Sequence, residues 1–232
     1  MFSFTHMFCG NYEAATEEAA ELLVLAKKKD TALWEASGVM NQGDPLALVG
    51  RTSDAVPMII SGIAAYQSTG ATIYIPWHLS RLAWAHADLS QFDEAQRCSD
   101  QAITVVETTN ERWSEAEVHR ITGEVVLISP DRNAAKAEDY FERALAIARQ
   151  QQAKSWELRA SMSLARLWRD QGKPEQAREL LAPVYGWFTE GFDTRDLKEA
   201  KALLEELAAY SGLRPVFGGV RHARSEGCEG TD

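Results

Sequence analysis

The stretch Lys154–Leu204, KSWELRASMSLARLWRDQGKPEQARELLAPVYGWFTEGFDTRDLKEAKALL, decides the fold. Its first third carries Met162, Ala165 and Trp168 at intervals of three, a spacing that places them on one face of a helix. Gln171–Pro174 predicts a turn, because glycine can stop one helix and proline can open the next. The stretch therefore predicts a hairpin of two amphipathic helices, which must stack on neighbours to bury its apolar faces.

The preceding chain repeats this hairpin with a period of about 40 residues. In the predicted second helices, Ala95, Ala137 and Ala177 stand 42 and 40 residues apart, and Ala15 and Ala55 continue the series at steps of 40. Two more sets in the second helices keep the spacing of the first three alanines, namely Ser99, Phe141 and Leu181; and Ala102, Ala144 and Val184. In the first helices, Ala83, Gly123 and Ala165 stand 40 and 42 residues apart. Small residues at matching places allow close helix approach, so the period predicts an all-α fold, an α-solenoid of about five hairpins.

The helical pattern assigns residues 1–210 to one repeat domain. Its earlier helices are predicted at Asn11–Lys28, Thr31–Gln42, Ser53–Ser68, Trp77–Leu89, Asp93–Thr108, Trp113–Ser129 and Asn133–Gln151. Gly43–Thr52 is interpreted as an unusually long connection, and the helix before Asn11 is expected to be mostly missing, so Met1 need not begin a natural domain. The last helix, after Gly191, is apolar on one side and acidic on the other, which predicts a cap closing the stack. Residues 211–232, rich in Gly and Arg, are predicted to be a flexible tail.

The run Gln91-Phe92-Asp93-Glu94-Ala95, together with the small-residue positions, resembles the tetratricopeptide repeat (TPR). A standard repeat has about 34 residues and a proline near its end. Here Glu107 and Thr189 stand where that proline is expected. About six extra residues add a little under one turn to each helix. We therefore expect a TPR-like variant with longer helices.

A narrower resemblance covers Trp77 to Leu207 and is carried by the runs ERWSEAEVHRITGEVVL and AEDYFERALAIARQQQAKSWELRASMSLARLWRDQGKPEQARELLAPVYGWFTEGFDT. These runs resemble the C-terminal repeats of large bacterial proteins that join an adenylate/guanylate cyclase domain to an AAA-type ATPase module. The resemblance implies a regulatory or protein-binding region that acts in signal transduction. The chain contains neither a GxxxxGK[ST] phosphate loop nor a recognisable cyclase metal site. The sequence therefore predicts a scaffold rather than an enzyme.

Charge and cysteine content bear on partners and compartment. A net charge of -10 argues against nucleic acid as the main partner, because phosphate binding needs clustered Lys and Arg. Three widely spaced cysteines without a metal-binding spacing favour free thiols in a reducing cytoplasm. The segment Met1–Gly10 lacks the basic start of a signal peptide, and no uncharged apolar run of about 20 residues predicts a membrane span.

Chemical alternatives rest on few residues. His78 and His86 fall eight residues apart, about 12 Å along a helix, and no third metal ligand accompanies them. Cys98 could face His86 as a thiol nucleophile, but a small packing residue is the commoner role. No cofactor and no metal are predicted. The competing functions are an ATPase-type transcription regulator and an unrecognised hydrolase.

The TPR resemblance implies a concave groove lined by particular positions of each first helix. Transferred to this sequence, the groove residues are Trp77, Ser80, Trp84, Asp88, Glu117, Arg120, Glu124, Arg159, Met162, Arg166 and Arg169. Aromatic residues and arginine are typical of the centre of a protein interface. The expected partner is a protein or peptide, which could be the cyclase or ATPase module of a related chain. Alternatively, Arg159 and Arg166 merely pair with Glu157 or Asp170.

Overall fold

The computed structural model describes residues 2–212, and the side chains of residues 4–210. Within that range the chain forms α-helices joined by short turns. The helices are α1 (Phe2–Phe8), α2 (Tyr12–Lys28), α3 (Ala32–Leu48), α4 (Thr52–Ser68), α5 (Ile75–Asp88), α6 (Phe92–Thr109), α7 (Glu115–Ile128), α8 (Ala134–Gln150), α9 (Lys154–Asp170), α10 (Pro174–Tyr185) and α11 (Arg195–Gly212).

Successive helices pair as hairpins that stack in chain order. The hairpins α3–α4, α5–α6, α7–α8 and α9–α10 each pack internally, and the short helix α1 packs on α2. Neighbouring first helices also pack on one another, α3 on α5, α5 on α7 and α7 on α9, so they form the inner wall of a curved stack. Helix α11 packs on α9 and α10 and closes the stack, as predicted. The predicted all-α, TPR-like solenoid is confirmed.

The repeat register predicted from the alanines is also found in the structure. The five second-helix alanines, Ala15, Ala55, Ala95, Ala137 and Ala177, are completely buried. In two hairpins a first-helix glycine faces a large second-helix side chain. A Cβ added to Gly123 would lie 2.5 Å from Cε1 of Phe141, so glycine there makes room for the ring. Close packing at this position fixes the helix separation in the hairpin.

The predicted connection Gly43–Thr52 is wrong, because α3 continues to Leu48. Helix α3 continues through Pro45, although a proline inside a helix removes one hydrogen bond. Tertiary contacts outweigh that cost. A Cβ on Gly43 would lie 2.6 Å from Cγ1 of Ile59, so Gly43 occupies the same position in its hairpin as Gly123. The true connection is the short turn at Val49–Arg51, where Gly50 has a φ of +81°.

Two further expectations concern the ends of the chain and membranes. Helix α11 runs through Gly212, and the rest of the predicted tail lies outside the described residues. The boundary between domain and tail therefore stays a prediction. Among the described residues, every helix is too short or too polar to cross a membrane.

Candidate functional site

The inner wall carries an aromatic cluster contributed by three neighbouring first helices and their approaches. Trp77 of α5 lies 5.7 Å from Trp113 and 5.9 Å from Trp156 between ring centroids. The Nε1 atom of Trp77 donates a hydrogen bond to Oδ2 of Asp44 in α3 at 2.8 Å. The guanidinium of Arg81 lies 4.6 Å from the Trp77 ring centroid, a cation–π arrangement. The cluster therefore joins α3, α5, α7 and α9 across the groove.

Helix α1 also packs against this aromatic cluster. The Phe4 ring lies 5.3 Å from Tyr74 and 6.0 Å from Trp77, and the Phe8 ring lies 5.4 Å from both Trp77 and Trp156. Trp77 is consequently only 1% exposed. The first repeat thus reaches across the groove to the third, fourth and fifth repeats.

The start and end of the described stack also meet. Nη1 of Arg195, in the first turn of α11, donates a hydrogen bond to the hydroxyl of Tyr12 in α2. A Cβ on Gly10 would lie 2.9 Å from Cβ of Arg195, so the backbone before α2 approaches α11 closely. The groove is therefore bounded by α1 and α2 on one side and by α11 on the other.

Between these boundaries lies a cavity of about 310 Å³. Eight of the eleven predicted groove residues line it: Trp77, Trp84, Glu117, Arg120, Glu124, Arg159, Met162 and Arg166. The other three lie elsewhere. Buried Ser80 donates to the carbonyl of Trp77, Asp88 accepts a hydrogen bond from Thr52, and Arg169 pairs with Glu206. Their predicted role in binding is not tested by this placement.

Alternating charges cross the cavity wall from helix to helix. Arg81 of α5 contacts Glu117 of α7 at 2.9 Å, Glu117 contacts Arg159 of α9 at 3.5 Å, and Arg159 contacts Asp196 of α11 at 2.5 Å. We call these four residues the charge ladder. Arg120 adds a second contact to Glu117 at 2.7 Å.

Burial and charge act in opposite directions on the ladder. Burial alone raises the pKa of the Glu117 carboxyl, but the guanidinium groups of Arg120, Arg159 and Arg81 outweigh it and hold the pKa well below its usual range. Burial lowers the pKa of Arg81, while Glu117 acts in the opposite direction. Nε of Arg81 is buried without a hydrogen-bond acceptor among the described residues. The neighbouring arginines therefore keep the buried Glu117 carboxyl group ionised.

Arg159 and Arg166 form ion pairs, but the partners predicted for them, Glu157 and Asp170, are wrong. Arg159 pairs with Glu117 and Asp196 rather than Glu157, and Arg166 pairs with Glu199 at 3.1 Å rather than Asp170. The sequence interpretation considered only partners on the same helix, two residues away for Glu157 and four for Asp170. The actual partners lie on the neighbouring helices α7 and α11.

Sequence analysis missed several residues of this wall. Asp44 lay in the predicted connection, and Arg81, Arg195, Asp196 and Glu199 lay outside the transferred groove positions. Once α3 is extended, the position of Asp44 beside Gly43 marks it as an inner-wall residue. The approach of α1 to the cavity has no comparable signal, because it depends on the curvature of the whole stack.

The residues considered for other chemistry have ordinary partners. Nδ1 of His78 lies 3.1 Å from Asp44, and Nδ1 of His86 lies 2.7 Å from Oε1 of Gln91. Cys98 is buried in the hairpin core, and burial raises the pKa of its thiol. Within the described residues, no three His, Cys, Asp or Glu side chains are grouped to hold a metal ion.

Several solved structures share this architecture, including TPR-like repeat proteins. Rap protein complexed with Competence and Sporulation Factor matches with a TM-score of 0.69 and 15% identity, covering 88% of this chain and 55% of the Rap chain. BtubC (BKLC) from P. vanneervenii matches with a TM-score of 0.56 and 12% identity, covering 97% and 98% of the respective chains. Nearly identical TPR-like repeats from Podosopora anserina match with a TM-score of 0.52 and 18% identity, covering 80% and 90%.

No family model and no curated protein matches the sequence. At these identities the structural likeness establishes the fold alone. The likeness supports the TPR-like architecture, and any partner must be argued from the groove itself.

Proposed function

We propose that this chain is a non-enzymatic scaffold that binds a peptide segment of another protein in its concave groove. The observation that carries the proposal is the cavity between α5, α7, α9 and α11, where aromatic, arginine and carboxylate side chains from different repeats converge. Such mixed surfaces with aromatic anchors and arginine are typical of interface centres. The Rap structure, complexed with Competence and Sporulation Factor, is a TPR-like neighbour with a bound partner and supports the same reading.

The cavity offers both apolar contact and charged anchors. Trp84 and Met162 provide apolar wall, and Arg166 remains partly exposed while paired with Glu199. A peptide side chain can therefore bury apolar area against the wall while its backbone or charged groups exchange with the ion pairs at the cavity mouth. The side chains that would recognise the peptide come from several repeats, so the groove forms only when these repeats are stacked.

Selection of peptides tests the proposal. A displayed library of random peptides is selected on the purified full-length chain, and the affinities of the selected peptides are measured by calorimetry. We expect Trp84→Ala and Arg166→Glu to weaken binding at least about tenfold, equivalent to 1.4 kcal/mol. The control is Arg97→Glu on α6, whose side chain is 71% exposed and lies outside the cavity. A library without specific binders, or binders insensitive to both cavity variants, would refute the proposal.

We further propose that the partner is a cyclase or ATPase module of a related chain, and that binding takes place in the cytoplasm. The support is the resemblance of Trp77–Leu207 to the repeats that follow such modules, together with the widely spaced cysteines. Co-purification of the chain with a cyclase–ATPase module from a related bacterial protein tests this point. We expect the chain to retain one of the modules and the Trp84→Ala variant to retain less of it. If the chain retains neither module, this proposal is wrong.

A further inference from the structure

Helix α1 is related to the groove in an unusual way. It is only two turns long, and it presents Phe4 and Phe8, four residues apart and hence on one helical face, to the aromatic cluster. Phe4 contacts Tyr74, Trp77 and Trp113. Phe8 contacts Trp77 and Trp156, and the guanidinium of Arg159 lies 5.5 Å from its ring centroid.

Met7 of α1 is also buried in the core cluster that contains Trp77, while the end of the helix is held by local contacts. The backbone hydrogen bonds at its end run within the turn into α2, from Gly10 to Met7 and from Asn11 to His6. His6 pairs with Glu18 of α2 at 3.4 Å. The side chains of Phe4 and Phe8 thus make the ring contacts to the inner wall, while the turn at Gly10 connects α1 to the stack.

Phe8 also separates two cavities. On one side lies the 310 Å³ cavity already described, and on the other lies a cavity of about 510 Å³ whose wall includes Trp113, Trp156 and Phe188. Phe8, Arg159 and Asp196 line both cavities, so these three side chains form the boundary between them.

We propose that the aromatic cluster is a binding site for a partner helix that presents two aromatic side chains four residues apart, and that α1 occupies this site as an internal competitor. This inference rests on the proposed function and specifies its partner. The template for the partner is α1 itself, because Phe4 and Phe8 fit the cluster by edge-on and tilted ring contacts, the geometries that aromatic pairs favour. Burial of the aromatic surface is the main contribution to affinity.

An internal competitor changes the apparent affinity in a defined way. When a site is open in only a fraction of molecules, the apparent dissociation constant rises by the inverse of that fraction. A segment tethered through a short turn competes at high effective concentration. Weakening α1 should therefore tighten binding of an added peptide.

The probe is a fluorescent synthetic peptide with the sequence FSFTHMF between polar flanks, followed by anisotropy. The full chain is compared with its Phe4→Ala/Phe8→Ala variant. We expect the variant to bind the peptide at least tenfold more tightly than the unaltered chain. Adding Trp156→Ala to the variant should abolish the gain, and a peptide with alanine at the positions of Phe4 and Phe8 should not bind.

Equal affinity for the unaltered chain and the variant, or no binding to either, would overturn the inference. A dimer of the unaltered chain that exchanges α1, detected by light scattering, would also overturn it, since the occupant would then be a second copy. If the double alanine variant does not fold, Phe4→Leu/Phe8→Leu keeps apolar volume, loses ring contacts and supplies the same comparison. Peptides from the display library that bind both forms equally at the cavity would leave the proposed function standing while this inference fails.

Discussion

The interface inside each hairpin and the inner wall of the groove are built by different rules. Inside the hairpins, small residues repeat every 40 to 42 residues, and the alanines that carry the period are completely buried. On the inner wall each helix contributes a different residue to the charge ladder: Arg81, Glu117, Arg159 and Asp196. The hairpin interfaces use similar small residues in successive repeats, whereas the inner wall uses oppositely charged residues on neighbouring helices. A repeat protein can therefore keep the hairpin interface constant and still vary the side chains of its groove.

The largest effect is expected on the inner wall. Glu117→Gln removes the carboxylate that Arg81, Arg120 and Arg159 share. The buried guanidinium of Arg81 then loses its ion-pair partner, while Arg120 keeps Glu124 and Arg159 keeps Asp196. Breaking a buried ion pair in this way costs about 3–5 kcal/mol. Urea denaturation followed by circular dichroism measures the loss.

The matched control is Glu205→Gln on α11, whose carboxylate is 68% exposed and pairs with Lys201. Its unfolding midpoint should not change. An equally small effect of Glu117→Gln would mean that the ladder is hydrated, and the contrast between the two layers would fail.

The next largest effect is a pH dependence of stability caused by His119, a buried polar residue of α7. Burial, and then the charge of Arg143, lowers the pKa of His119 to about 4. The unfolded chain therefore binds a proton at this residue more readily, so stability is lost as the pH falls from about 6.5 towards 4. A shift of this size is equivalent to at most about 3 kcal/mol.

Thermal unfolding of the chain and of His119→Gln, measured between pH 7 and pH 4.5, checks this expectation. The unaltered chain should lose stability over that range, and the variant should lose less. Parallel pH profiles would show that His119 is not the group responsible.

Overpacking of the alanine series has a smaller effect. Ala137→Leu inserts three carbons at a completely buried position between helices and should destabilise the fold by about 1–3 kcal/mol. Chemical denaturation gives the change in unfolding free energy. Ala146→Leu on the exposed side of the same helix is the control and should change stability by less than about 0.5 kcal/mol. Similar values for both would contradict the register.

The smallest effect is expected at the mouth of the groove. Arg166 and Glu199 form a pair whose side chains are 39% and 35% exposed, so water screens their attraction. Arg166→Ala should therefore change stability by less than about 1 kcal/mol. Equilibrium denaturation beside Glu117→Gln tests whether stability effects decrease from the buried wall to the mouth. A loss as large as that of Glu117→Gln would contradict this gradient.

Much of the fold could be predicted from the sequence because the hairpin layer is periodic. Ala95, Ala137 and Ala177 gave both the period and the register, and the helices around them lie within a few residues of their predicted ends. The end of α3 could not be predicted from local rules, since Pro45 indicates a break that packing at Gly43 overrides. Gly43 does, however, stand 40 residues before Ala83, so the period itself held the missing signal.

The sequence predicted many of the residues that line the cavity, but not which of them pair with one another. Transferred groove positions brought Trp84, Glu117 and Arg166 to one cavity. The ladder escaped prediction because partners on different repeats follow no sequence interval. The contact of Phe8 with Trp156 spans nearly the whole stack and depends on the accumulated turn between hairpins, which no local pattern specifies.

The alternation of sign in the charge ladder limits how this protein can change its length. Removing the single hairpin α7–α8 would bring Arg81 beside Arg159, two like charges in a buried place, and duplicating it would set two copies of Glu117 side by side. Loss or gain of two adjacent hairpins restores the alternation. The ladder therefore acts as a parity rule, and it favours relatives of this chain whose hairpin number differs by two.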